Sequence, residues 1–233
     1  MAGLSLFDSC RARIAALALV SLLSACAGDM IPAGRSSHKA PQRVKSRPAR
    51  APVIRHDSEA YRQCTAKLAS INARYTPLPD QNFGGGCNAL GAVKLIDVGV
   101  PTTNLGAMTC PLASNFAAWT QYGVQPAARV LLGAELVRIE TFGTYNCRVV
   151  AGSGRLSEHA RSNAVDIAAF VLSDGRRITV QDGWRGDPDS QRFLRTVRAS
   201  ACKRFRTVLS PDYNAAHHDH LHFDMGGTGG ICR

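Results

Sequence analysis

Residues 57–233 predict one α+β domain, a largely antiparallel sheet with flanking helices, stapled by disulfides. Three observations carry this expectation. Strand-like and helix-like stretches follow one another without the strict strand–helix–strand alternation that builds a parallel sheet. The span is long enough to bury one substantial core. Six cysteines fall within it, Cys64, Cys87, Cys110, Cys147, Cys202 and Cys232. An even number behind an export signal implies disulfide bonds and an oxidising compartment.

The export signal is read from the first 25 residues. Arg11 and Arg13 precede an apolar run, 14–23, shorter than the ~20 residues a membrane-spanning helix needs. The run ends in Leu23-Ser24-Ala25-Cys26, which resembles a bacterial lipobox cut before Cys26. The expectation is a lipoprotein signal peptide over 1–25 and a mature chain anchored through a lipid on Cys26. That places the protein on the periplasmic face of a bacterial envelope. Cleavage after Ala25 or Ala27, as in an ordinary secretory signal, is the alternative. Residues 26–56 read as a disordered, basic, Pro-rich tether, with four prolines and hardly any large apolar residue to bury. Such a tether reaches on the order of 30 Å.

The net charge of +11 is concentrated in these leading segments. Residues 1–56 hold nine of the 28 basic and two of the 17 acidic residues, which leaves the domain at only +4. The high pI is therefore no argument for nucleic-acid binding by the domain, and no nucleic-acid partner is expected.

The elements follow in order. Ser58 caps a helix running to about residue 73, with Tyr61, Cys64, Leu68 and Ile71 on one stripe. Residues 82–86, Asn-Phe-Gly-Gly-Gly, read as a loop, and 93–98 alternate as a strand. Pro111 opens a second helix through Trp119 and Tyr122, and 126–132 form a further helical piece ended by Gly133. Residues 136–142 and 144–149 suggest a hairpin around Gly143. A strand over 163–170 is followed, after the turn at 173–175, by another over 177–181. Residues 191–205 form an amphipathic helix with Phe193, Leu194, Val197, Ala201 and Phe205 apolar. Strands at 207–209 and 220–225 close the sheet. Six cysteines allow 15 pairings; the expected set is Cys64–Cys87, Cys110–Cys147 and Cys202–Cys232, with the bridge at Cys147 holding Arg148 in place. No Cys-x-x-Cys occurs, which argues against a cysteine zinc site.

Two stretches concentrate the chemistry, 157–166 (Ser-Glu-His-Ala-Arg-Ser-Asn-Ala-Val-Asp) and 217–222 (His-His-Asp-His-Leu-His). The second holds four of the chain's seven histidines, a density that packing does not explain. On a strand His220 and His222 share one face, while Leu221 and Phe223 take the other. Asp166 shares its strand face with Ala164 and Ala168, and a carboxylate among apolar neighbours needs a charged partner to offset its desolvation. A catalytic zinc takes three protein ligands and leaves a fourth position to water. His159, Asp166 and His222 are the expected ligands of one Zn2+, with His220 or Asp219 handling the proton. The plainer alternatives are a structural His–Asp hydrogen bond or an adventitious surface metal binder. His217 and His218 either orient ligands or face solvent, and Asp224 either holds a His from behind or pairs with an Arg. Trp184 either walls a cleft or tucks against the sheet edge, and Tyr145 and Tyr213 are lower-ranked hydrogen-bond donors to an oxyanion.

Ser-x-His, Asp seven residues after that His, then His-x-His resembles zinc peptidases of the D-alanyl-D-alanine carboxypeptidase and lysostaphin type, which cleave bacterial cell-wall peptides. The longer context resembles the bacterial extensin-like C-terminal domain family. It comprises Tyr145-Asn146-Cys147-Arg148, 155–160, 163–167, Phe193-Leu194-Arg195 and 219–224, and the likeness runs over roughly 61–232. The resemblance implies the peptidase-type fold and the same ligands, His159, Asp166 and His222. It also implies a catalytic His220, Asp219 at a general-base position, and Arg148 as oxyanion stabiliser. The wider group usually has Gly where this chain has Ser162, a departure that bears on backbone approach and substrate fit. The function so implied is a zinc-dependent peptidase acting on peptidoglycan peptides. The rivals are a non-catalytic peptidoglycan-binding or scaffolding lipoprotein that keeps the metal-site fold, and a zinc amidase acting on the sugar–peptide link.

Overall fold

The computed structural model describes residues 58–227 and 230–233. The expected signal peptide, the lipidation site Cys26 and the tether lie outside the described residues. Helix α1 (Glu59–Ser70) starts where Ser58 Oγ accepts the Tyr61 amide, and it buries Tyr61, Cys64 and Leu68 along one stripe. Capping of this kind satisfies one of the four orphan amides of the first turn. Strands β1 (Arg74–Pro77), β4 (Ala92–Asp97) and β5 (Met108–Thr109) form a three-stranded antiparallel sheet. Between them, β2 (Gln81–Gly84) and β3 (Cys87–Ala89) form a hairpin, so the expected 82–86 loop is its turn and first strand. Gly84, Gly85 and Gly86 all have positive φ there, a backbone that glycine adopts without strain.

The second and third helical stretches are one run. Helix α2 (Cys110–Trp119) passes through a wide turn, Thr120–Val124, into the short α3 (Gln125–Ala127), and a second wide turn, Ala128–Leu132, ends at Gly133. Pro126 has no amide to give back to the preceding turn, and the Gln125 amide bonds the Thr120 carbonyl five residues back. The run packs on the helix Pro188–Cys202 so closely that a Cβ at Gly123 would collide with Ser200 Oγ, and the Trp119 indole donates to the Val197 carbonyl.

The main sheet has the order β11-β9-β10-β7-β6, with β8 also paired to β7. Its strands are β6 (Leu136–Gly143), β7 (Ala164–Leu172), β8 (Arg177–Thr179), β9 (Thr207–Leu209), β10 (Leu221–Asp224) and β11 (Ile231–Cys232). All its pairings are antiparallel except β11 with β9. Helices α4 (Val180–Gly183) and α5 (Pro188–Cys202) complete the fold. Residue 180 thus begins a helix rather than continuing the expected 177–181 strand. One face of the sheet carries Val165, Ile167, Leu221 and Phe223 into a core with Phe116, Trp119, Phe170 and Phe193. The α+β class and the antiparallel sheet agree with the sequence reading.

Two expectations are corrected. Residues 144–149 form no hairpin strand on β6; β6 pairs with β7 instead, and only Val149 bridges Leu156. Gly143, at φ +117°, turns the chain away, and the outer edge of β6 is already taken by 101–104. Thr103 donates to the Ile139 carbonyl, Ile139 to the Pro101 carbonyl, and Thr141 Oγ1 to the Thr103 carbonyl. The disulfides are Cys64–Cys110, Cys87–Cys147 and Cys202–Cys232. Cys64–Cys87 and Cys110–Cys147 are therefore overturned. Helix α1 lies along α2 and sets Cys64 opposite Cys110, whereas β3 lies beside the 144–161 segment that carries Cys147.

Candidate metal centre

Register builds the centre. In the β10–β7 pairing His222 stands directly opposite Asp166, and in β6–β7 Asp166 is opposite Gly143. Directly opposed side chains on one sheet face lie within contact distance. With Leu221, Ile167, Phe223 and Val165 committed to the core, pleating sends His222 and Asp166 to the other face. Glycine at 143 adds no side chain on the neighbouring strand above them.

His159 arrives from a separate element, the 3-10 turn Glu158–Arg161. Ser157 Oγ caps this turn by accepting the His159 amide. The turn ends at Ser162, which is fully buried at φ +54°, the left-handed region. A backbone of this kind costs an L-residue roughly 1–2 kcal/mol. The turn is tied down by Asn163, whose amide donates to Glu158 Oε2 at 2.6 Å and whose Oδ1 accepts Thr109 Oγ1 at 2.7 Å.

Three buried side chains then converge. His159 Nε2 lies 3.0 Å from Asp166 Oδ2, His222 Nδ1 lies 2.8 Å from Asp166 Oδ1, and the two ring nitrogens are 3.2 Å apart. The other nitrogen of each ring is already committed. His159 Nδ1 donates to the Thr144 carbonyl at 3.2 Å, and His222 Nε2 to Asp224 Oδ2 at 3.0 Å. A carbonyl can only accept, so His159 Nδ1 carries the hydrogen and Nε2 presents its lone pair. His222 has a carboxylate acceptor at each nitrogen; with the single hydrogen of the neutral ring on Nε2, toward Asp224, Nδ1 is bare. Two lone pairs and a carboxylate at these distances repel unless a cation joins them.

These residues fit a metal ion. Ligand atoms placed about 2.1 Å from a tetrahedral ion stand roughly 3.4 Å from one another, close to the 3.2 Å between the two ring nitrogens and the 2.8–3.0 Å from each to one oxygen of the shared carboxylate. Each imidazole has the backing acceptor that metal-bound histidines characteristically have. With a proton as the only available cation, His222 becomes strongly basic. Burial alone would depress it, but the carboxylates of Asp166 and Asp224 on its two sides raise it to about 9. Burial likewise pushes Asp166 up, and the imidazoles of His159 and His222 beside it outweigh that, holding the carboxyl well below the usual range.

His220, two residues before His222, reaches the same face. Its Nδ1 donates to Asp219 Oδ1 at 2.8 Å, and Nε2 is turned to the centre, 3.6 Å from Asp166 Oδ1. Of the two residues expected to handle the proton, His220 is the one whose free nitrogen faces the centre, and Asp219 holds its other nitrogen. His217 packs against the rings of His220 and His222, and its Nδ1 donates to Asn214 Oδ1 at 2.7 Å. Burial, then the imidazoles beside it, push His217 down to about 4. Arg148 is exposed and near enough to His217 to contribute to that depression. His218 faces solvent, and Asp224 is the residue holding His222 from behind. Trp184 is buried, donating its indole N–H to Asp212 beneath the Arg195 guanidinium, and plays no part in the centre. Missing from the sequence reading was Thr144, whose contribution is a backbone carbonyl and leaves no trace in residue type.

No curated protein and no solved structure matches the chain. A family model described as "Extensin-like protein C-terminus" matches residues 62–233, nearly three quarters of the sequence and all of the centre. With His159, Asp166, His220 and His222 all inside the matched span, the chain belongs to the extensin-like C-terminal family.

Proposed function

We propose that the protein is a zinc-dependent hydrolase of the bacterial envelope, lipid-anchored through Cys26, that cleaves amide bonds in peptidoglycan peptides. Its fold, on this reading, is related to the D-alanyl-D-alanine carboxypeptidase and lysostaphin-type zinc peptidases. One observation carries the proposal: two imidazole nitrogens 3.2 Å apart, each with its opposite nitrogen engaged, share a carboxylate in a buried position. A divalent cation bound there would satisfy all three side chains at once.

His159, Asp166 and His222 would hold the ion, which supplies Lewis acidity for hydrolysis when bound. His220 Nε2 takes the proton of the attacking water and returns it to the leaving amine. Asp219 keeps the proton of His220 on Nδ1, so that Nε2 is free to accept. Arg148, carried by the arm that the Cys87–Cys147 bridge fixes, stabilises the negative charge that grows on the scissile carbonyl oxygen. One such donor is typically worth ~3 kcal/mol. The substrate class rests on the peptidase resemblance and the expected export.

The test is metal stoichiometry with muropeptide hydrolysis. The wild type should bind one zinc and release peptides in a chelator-sensitive manner. His159→Ala and His222→Ala should each lose most of the metal and the activity while staying folded. A zinc-loaded protein that hydrolyses no wall peptide would favour the binding or scaffolding role.

A further inference from the structure

Five Phe or Tyr rings are exposed among the described residues: Phe83, Tyr122, Phe142, Tyr145 and Tyr213. Four of them stand around the metal centre. Phe142 lies edge-on to His220 with ring centres 5.9 Å apart, and Tyr213 lies edge-on to His217 at 5.6 Å. Tyr145 directly follows Thr144, the carbonyl that holds His159, and Phe83 packs on it at 4.8 Å. Only Tyr122 lies elsewhere, on the wide turn after α2. Aromatic rings left in water at this density mark a recognition surface.

The rim is braced rather than loose. The arm at 144–157 carries Tyr145, Arg148, Val149 and Val150 outward. The Cys87–Cys147 bridge ties it to the hairpin that carries Phe83, and Leu156 packs against Gly86, where a Cβ would come within 2.7 Å. Tyr145 and Phe83 are thereby held against one another by covalent and packing constraints, as preorganised binding requires.

Two features decide what the rim binds. The first is the sheet edge. Peptides in extended form are commonly held by adding a strand to an open edge, but the outer edge of β6 beside the centre is covered by 101–104. What remains for a ligand is ring faces, which suit the flat apolar faces of pyranose sugars. The second is charge. Arg148 and Arg155 on the arm join no ion pair among the described residues, which favours a ligand carrying carboxylates.

We propose that the rim of Phe142, Tyr145, Phe83 and Tyr213 binds the sugar rings of an anionic glycan. Arg148 reads the carboxylate substituents. The amide to be cleaved then reaches the centre as a substituent of that polymer; this last step rests on the hydrolase reading above, whereas the glycan binding does not.

The test measures binding of the full protein to three probes: glycan strands stripped of peptides and bearing their lactyl carboxylates, neutral chitohexaose, and a free stem tripeptide. Phe142→Ala and Tyr213→Ala should each weaken strand binding about two- to tenfold, with zinc content unchanged. Arg148→Gln should abolish the preference for charged strands over chitohexaose. Binding that persists after chelation and still falls in Phe142→Ala upholds the rim even if the zinc reading fails. Strand binding that is absent, or unaltered in the rim variants, overturns the proposal. So does tighter binding of the free tripeptide that weakens equally in Phe142→Ala, since the occupant is then peptide.

Discussion

Proton competition at His222 gives the sharpest check on the metal centre. In the metal-free protein Asp166 and Asp224 raise this imidazole to about 9, so near neutral pH a proton occupies the nitrogen that a zinc ion would need. At pH 7 that proton weakens apparent zinc affinity by about 100-fold, or roughly 2.7 kcal/mol. Affinity should therefore climb about tenfold per pH unit between 7 and 9 and level off above 9. Asp224→Asn removes the outer carboxylate, lowers the basicity of His222 and shifts the plateau to lower pH. It should also cost 10- to 100-fold in limiting affinity, because the ring loses its charged orienting partner. The same proton is linked to folding. A group whose folded pKa lies above its ordinary 6.5 stabilises fully below 6.5 and loses that contribution as pH rises through about 9. The melting temperature of the chelated protein should fall across that window, and saturating zinc should remove the fall. Chelator-competition titrations from pH 6.5 to 9.5, beside thermal melts, read both effects. Zinc affinity that is flat from pH 7 to 9 would refute the reasoning.

Three further outcomes are expected. His220→Ala should keep its zinc and lose about 10²–10⁴-fold in kcat, while Asp219→Asn should reduce kcat less and alter its pH profile; loss of metal in His220→Ala would mean the ring is a ligand. Ser162→Gly should raise stability by up to about 1 kcal/mol by relieving the left-handed backbone, whereas Ser162→Val should lower it, both measured by denaturant unfolding; the reverse order would count against strain at that turn. Non-reducing peptide mapping should recover Cys64–Cys110 and Cys87–Cys147, and Cys87→Ser/Cys147→Ser should raise KM far more than it lowers zinc content; recovery of Cys64–Cys87 would contradict the packing of α1 on α2.

The candidate ligands were legible in the sequence because residue type and short spacing carry that information. His220-Leu221-His222-Phe223 alternates polar and apolar, and a strand turns such alternation into two faces. Asp166 amid apolar residues signalled a partner for the same reason. Ser58 at the start of α1, Phe193 to Val197 on one stripe of α5, and the antiparallel bias followed from capping and periodicity. The Cys202–Cys232 bridge was read correctly, across a sequence separation of 30.

Tertiary structure alone decided the rest. Which cysteine meets which depends on how helices and hairpins stack, and Cys64 chose Cys110 because α1 lies on α2, a fact no local pattern encodes. The failed hairpin at 144–149 has the same origin: its strand propensity lost to β7 and to the 101–104 segment, which already held both edges of β6. That His220 turns a free nitrogen inward while Asp219 holds its other nitrogen depends on the same packing. The Thr144 carbonyl belongs to the backbone, identical in every residue. Composition and period report what each segment prefers, but the pairing of distant segments is settled by the packing that satisfies all of them together.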